Sequence, residues 1–348
     1  SSIGAVWVDF KSCMRPYFFC SSVLKNLVLT LCLTGSCLGT ALAQPAPVRL
    51  ALIEGLSGPF ANAGEAVWRN LAWAIERVNQ RGGVLWDGEK RLLQLDRYDN
   101  KGQVEDSLVA LRSAIDDGAR IVLQGNSSAV AAALVDAIEK HNQRDASRQV
   151  LMLNYSAVDP ALTNAQCSFW HFRFDADTSM KIEAMTTFMQ DKKDVQKVYL
   201  LNQNYSHGQQ VARFAKENLA RKRPDVQIVG EDLHPLAQVR DFSPYIAKIK
   251  ASGADTVVTG NWGQDIALLL KAAADAGLRV NWYTYYAGGA GGPTAVKQAG
   301  LNHQVFQVSE GFANIDHKQK VCMFNNTDNL ADVLKYSLIS GVGMYTCF

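Results

Sequence analysis

The residues best placed to do chemistry lie in Gly125-Asn126-Ser127-Ser128. There an apolar run, 121–124, gives way to a helical pattern with Val130, Leu134 and Ile138 on one face. Hydroxyls and unbonded N–H groups at a helix start neutralise a small anion such as a carboxylate without a buried cation. Serine is equally a plain N-cap, so the motif alone leaves both readings open. No nucleophile with a spaced His and acid stands beside it. Gly55-Leu56-Ser57-Gly58 lacks the spacing of a nucleophile elbow. Gly288-Gly289-Ala290-Gly291-Gly292 lacks the Lys and Ser or Thr of a phosphate loop and reads as a flexible turn. The six His are scattered, and Cys167, Cys322 and Cys347 form neither a disulfide framework nor a zinc ligand set. His171, within Trp170-His171-Phe172-Arg173, reads as a packed residue between lobes. The expectation is binding without turnover, with no metal and no cofactor.

The elements that must hold this loop alternate strand and helix. Strands are expected at 48–54, 92–98, 121–124 and 150–154. Helices are expected at 64–81, from Val104 to Ile115 and at 129–142, with Val67, Leu71, Ile75 and Val78 on the first helix face. Residues 162–177 break the rhythm with polar and aromatic side chains, after which it restarts through to 308. The pattern predicts an α/β protein of two doubly wound parallel-sheet lobes, 44–174 and 175–309, joined by a hinge near 172–177. Ligands of such sheets sit beyond the strand C-termini, so facing lobes make a cleft.

The chain has 348 residues, is 48% hydrophobic and carries a net charge of +2, which gives no electrostatic case for nucleic acid. The basic triplet Arg221-Lys222-Arg223 reads as the solvated end of a helix. Residues 1–43 read as upstream residues followed by a secretory signal peptide. Met14 is the expected start, with an apolar run from Leu27 to Leu38 and Ala41-Leu42-Ala43 before a cut at Gln44. Cys37 follows Leu33-Thr34-Gly35-Ser36, whose Leu stands one place too early for a lipobox. Residues 310–348 form an atypical tail with no evident α/β continuation.

Ala51 to Ala61, Asn79 to Gly83, Gly125 to Ser128, Asn154 to Thr163, Asn204 to Gly208, Gly253-Ala254-Asp255 and Gly260-Asn261-Trp262 are motifs that keep their order within 44–312. In that order they resemble the periplasmic substrate-binding proteins of branched-chain amino-acid ABC importers, of the leucine-binding type. Ala51 to Ala61 is similar to the family's first strand and SGP-x-A turn, and Asn79-Gln80-Arg81-Gly82-Gly83 to its N-x-x-GG helix end. Gly125 to Ser128 resembles its G-x-x-S loop, and Asn154 to Thr163 the loop ending in P-x-L-T. Asn204-Tyr205-Ser206-His207-Gly208 resembles the second lobe's Y-x-x-G loop. Gly253-Ala254-Asp255 and Gly260-Asn261-Trp262 are similar to the G-A-D and later G stretches.

The resemblance implies periplasmic location, hinge closure over an amino acid, branched-chain by default, and delivery to an ABC permease. It implies that Ser127, Ser128, Ala157 and Val158 hold the ligand carboxylate, with aromatic walls at Tyr205 and Trp262. Tyr285 is a further candidate ligand residue. Two departures bear on the ligand. Ala63 stands where the family often has Tyr, and the loop carrying the ammonium-binding Glu is here Tyr285-Tyr286-Ala287-Gly288-Gly289. A buried ammonium needs a carboxylate, for which Glu54 and Asp265 are candidates. The alternatives are a binder of an amide, urea or small carboxylate, a ligand-sensing receptor domain, or a truncated product without function.

Overall fold

Strand β1 (Val48–Glu54) is apolar on both faces, and such a strand needs helices above and below it. The computed structural model describes residues 45–288, 292–301 and 304–308. In it Leu50 and Leu52 pack with Leu71, Ile75 and Val78 of α1 (Ala61–Gln80). On the opposite face Ala51 and Ile53 pack with Leu111 and Ile115 of α2 (Val104–Asp116) and with Leu134 and Ile138 of α3 (Ser128–Arg144). Each large apolar side chain so buried contributes roughly 1.5–3 kcal/mol, so the apolar stripe of a helix decides which face it covers.

After α1 a short antiparallel hairpin, β2 (Val84–Trp86) and β3 (Glu89–Arg91), leads into β4 (Leu93–Asp99). With β5 (Ile121–Gln124), β6 (Leu151–Asn154) and β7 (His171–Arg173) these build a parallel five-stranded sheet in the order β4-β1-β5-β6-β7. The chain crosses through 174–177 into α4 (Thr178–Phe188), capped by Asp177 Oδ1 on the Met180 N–H.

The second sheet repeats the plan. Its elements are β8 (Lys197–Gln203), α5 (Ser206–Lys222), β9 (Gln227–His234), α6 (Ser243–Ser252) and β10 (Thr256–Thr259). They continue with α7 (Gly263–Asp275), β11 (Asn281–Thr284), α8 (Gly292–Gln298) and β12 (Val305–Gln307). The order is β12-β11-β10-β8-β9, again parallel throughout. Val198 and Leu200 face α4 and α5, while Tyr199 and Leu201 face α6 and α7. Both sheets belong to one compact unit. In each, the first strand of the lobe lies between its second and third, so successive crossovers diverge from it and leave a crevice at the strand C-termini.

Three elements differ from the sequence expectation. The β2–β3 hairpin and β7 have three residues per strand, too few for a period to register. Strand β7 fills the stretch that broke the rhythm, and it is polar because His171 and Arg173 bond to buried partners rather than pack. Gly292, the last glycine of the 288–292 stretch, begins α8, and 289–291 lie outside the described residues. The basic triplet also differs. The Lys222 side chain is 5% exposed and bonds Glu183 and Thr187 of α4, and Arg223 donates to the carbonyls of Met189, Lys192 and Val195, so these cations tie the end of α5 to α4 and the segment after it. The predicted leader, its cut after Ala43 and the atypical tail lie outside the described residues.

Candidate functional site

The switch point of the first sheet falls between β1 and β5, and its two C-termini are joined by one carboxylate. Glu54, the last residue of β1, is buried, and its Oε1 accepts the N–H of Gly125 at 2.8 Å and of Asn126 at 2.9 Å. The Tyr155 hydroxyl donates to the same oxygen. Burial pushes the Glu54 carboxyl above its ordinary range, and these hydrogen bonds oppose that rise. Gly125 is required here for close approach, since a Cβ would stand 2.5 Å from the Tyr155 ring and 2.6 Å from the Ser156 nitrogen.

The adjoining loop is held by Asn154 at the end of β6. Its Oδ1 accepts the N–H groups of Ser156 and Ala157, and its Nδ2 donates to the Ala157 carbonyl and meets His171 Nε2 at 3.1 Å. His171 is therefore packed inside the first lobe beneath this loop, not between lobes. Burial, with Arg173 nearby, lowers its pKa to about 4, which keeps the ring neutral.

Beyond these strand ends lies a cavity of about 500 Å³ between the lobes. The first lobe contributes Asn62, Ala63, Asn70, Asn126 and Ser128, then Tyr155 to Val158. The second contributes Tyr205, Trp262, Gln264 and Tyr286. Among the described residues no Asp, Glu, Lys, Arg or His lines the cavity. Trp262 donates its indole N–H to the Tyr205 hydroxyl at 2.7 Å, and its ring lies against Phe60 of the first lobe with centroids 5.3 Å apart. Burial holds the Tyr205 phenol well above its usual pKa, so it stays protonated and can donate into the cavity.

The expected site residues divide. Ser128, Ala157, Val158, Tyr205 and Trp262 line the cavity. Ser127 lies off the lining; it caps α3, its Oγ accepting the Val130 N–H at 3.4 Å. Ser128 Oγ accepts the Asp159 N–H at 3.2 Å and keeps a proton to donate. The Ala157 N–H is already taken by Asn154, so of these two cavity-lining residues Val158 is the one left as a backbone donor. Glu54 and Asp265 do not reach the lining. The first is occupied beneath the 125–126 loop, and the second accepts Gln203 Nε2 at 2.7 Å and the Ala237 N–H at 2.9 Å. Tyr285 is 4% exposed and packs among the core residues between α4 and α5, while its neighbour Tyr286 lines the cavity.

Sequence reasoning passed over Asn154, Gln264, Tyr286 and the pair Asn62 and Asn70 as site residues, and within 125–128 it singled out the serines rather than Asn126. That pair is eight apart on α1 with Ala63 and Ala66 between, a helical face that reads as solvent-exposed until a second lobe stands over it. For Asn154 a signal existed, because Asn at a strand end commonly turns its side chain onto backbone two residues on.

A sequence profile described as periplasmic binding protein matches residues 47–323. The chain is 38% identical over 256 residues to Leu/Ile/Val-binding protein homolog 4 of Brucella abortus (strain 2308), a match covering 73% of this chain and 60% of that relative. A solved leucine-, isoleucine-, valine-, threonine- and alanine-binding protein from Brucella ovis, in a closed conformation, superposes with a TM-score of 0.63 at 36% identity. That likeness covers 73% of this chain and 64% of the other. The isoleucine-bound branched-chain amino acid transporter substrate-binding protein of Streptococcus pneumoniae shares the fold, with a TM-score of 0.66, 18% identity and coverage of 83% and 81%. The chain thus spans less than two thirds of the length of its Brucella relatives. By profile and by relatives, this chain belongs to the periplasmic binding protein family.

Proposed function

We propose that the protein is a solute-binding component of an ABC importer, capturing a branched-chain amino acid in the periplasm after loss of its leader and passing it to a membrane permease. The observation that carries this reading is a cavity at facing strand ends, uncharged among the described residues, with hydroxyl and N–H donors on one wall and aromatic rings on the other. Ser128 Oγ, the Val158 N–H and the first turn of α3 suit a carboxylate. Trp262, Tyr286 and Val67 suit an aliphatic side chain. Among the described residues the cavity offers binding groups and no reacting pair, so the reading is capture without turnover. The names of the Brucella relatives support the ligand class.

One observation favours a second ligand class, a small carboxylate, amide or urea: no carboxylate lines the cavity among the described residues to pair with an ammonium. A thermal-shift panel of leucine, isoleucine and valine against benzoate, butyramide and urea separates the two, since a ligand that binds only the folded state raises the melting midpoint. A shift with leucine, isoleucine or valine supports the first reading. A shift confined to ligands without an ammonium replaces it with the second. A cooperative melt that no ligand moves counts against both.

A further inference from the structure

Two segments, Ala157-Val158 of the first lobe, which lines the cavity, and Gly260 to Trp262 of the second, which reaches it at Trp262, are joined through the hinge by two buried side chains. Thr178, the first residue of α4, donates its N–H to the Val158 carbonyl at 2.8 Å. Its Oγ1 stands 3.0 Å from the same carbonyl and 2.9 Å from His207 Nδ1. His207 Nε2 in turn lies 3.3 Å from the Gly260 carbonyl. Thr178 and His207 are 0% and 1% exposed, so water does not substitute for these contacts. Gly260 admits the ring: a Cβ there would stand 2.9 Å from His207 Nε2 and 2.7 Å from a Val211 methyl. The Gly260 N–H is fixed by Asn202 Oδ1 at 2.7 Å, so its carbonyl is held toward the histidine.

The contacts outnumber the protons. Thr178 has one hydroxyl proton and two acceptor neighbours, the Val158 carbonyl and Nδ1. A neutral His207 has one ring proton and two oxygen neighbours. Burial and the Lys181 charge lower its pKa to about 4, so the ring is neutral near pH 7. Two arrangements satisfy the chain. In one, Nε2–H is on Gly260 and the hydroxyl is on Nδ1. In the other, Nδ1–H is on the hydroxyl, which donates to Val158. The first ties the ring to the Trp262 segment, the second to the carboxylate-side loop.

We propose that Thr178 and His207 are positioning residues that couple the two cavity-facing segments across the hinge, one hydroxyl proton being shared between the Val158 carbonyl and the imidazole. The proposal rests on the solute-binding reading only for its affinity readout. The test uses the full chain and the variants Thr178→Val, which is isosteric without the hydroxyl, and Thr178→Ser, which keeps it. His207→Gln keeps a group near the Gly260 carbonyl, and His207→Asn keeps one near Thr178.

Amide hydrogen exchange of the ligand-free protein is read at 157–158 and 260–262, and leucine affinity and release are read by calorimetry and stopped flow. Loss of one buried hydrogen bond predicts about five-fold faster exchange at both segments in Thr178→Val, and about five-fold weaker leucine binding through faster release. Thr178→Ser restores both, and each His207 variant loosens mainly the segment its side chain no longer reaches. Faster exchange confined to residues next to 178, or wild-type values in Thr178→Val, overturns the coupling. If the wild-type chain binds no leucine, the functional reading fails while the exchange comparison still decides the coupling.

Discussion

Replacing Glu54 with Ala removes the acceptor that holds the cavity loop to the first strand. Three donors, the buried Gly125 N–H and Tyr155 hydroxyl and the half-buried Asn126 N–H, then lose their partner. An unsatisfied buried donor costs about 1–3 kcal/mol, and water entering from the adjoining cavity relieves part of that. The expected loss is about 3–5 kcal/mol, a large share of a total near 5–15 kcal/mol. Glu54→Gln keeps a neutral acceptor oxygen and is expected to lose about 1 kcal/mol or less, since the buried site already favours the uncharged form.

The pH dependence carries a sign. Burial raises the Glu54 carboxyl above its ordinary value of 4.5, so the folded state holds this proton more tightly than the unfolded chain. Its contribution is fully present below 4.5 and is lost as pH rises through the folded value. Glu54→Gln flattens that slope. Urea denaturation of the full chain across pH 4 to 8 measures both effects. A loss below about 0.5 kcal/mol for Glu54→Ala, the range of an ordinary surface substitution, refutes the anchoring role.

Tyr205→Phe leaves the Trp262 indole N–H without its acceptor, and calorimetry with leucine is expected to show about ten-fold weaker binding. Phe60→Ala removes the aromatic contact between lobes. Stopped-flow Trp fluorescence is expected to show ligand release faster by about three- to ten-fold, with the melting midpoint little changed. The buried rings of His171 and His207, lowered to about 4 from 6.5, give the opposite pH slope to Glu54. Their contribution is complete above 6.5 and lost as pH falls toward 4. His171→Gln or His207→Gln lessens that loss in melting curves recorded across the interval. Asn154→Ala removes three bonds to the 155–157 loop and one to His171 and is expected to destabilise by about 2–4 kcal/mol in urea.

Much of this protein is settled by local sequence. Alternating apolar runs and helical stripes determine the two parallel α/β lobes, because a strand buried on both faces has only helices to cover it. The order of loose motifs determines the family, and Ser127 and Ser128 mark a helix start that needs donors satisfied. What a side chain meets across the hinge is decided by distance in space, and no period in the chain encodes it. Glu54 ends under a loop 71 residues away instead of facing a ligand. Asp265 is taken up by Gln203 and Ala237, and Asn154 occupies the Ala157 N–H that the resemblance assigns to a carboxylate. One step of alternation beyond β11 puts Tyr286 rather than Tyr285 on the cavity. Sequence fixes which residues are polar and which helix or strand end carries them. The tertiary structure decides whether each polar group spends its hydrogen bonds on the fold or keeps one for a ligand.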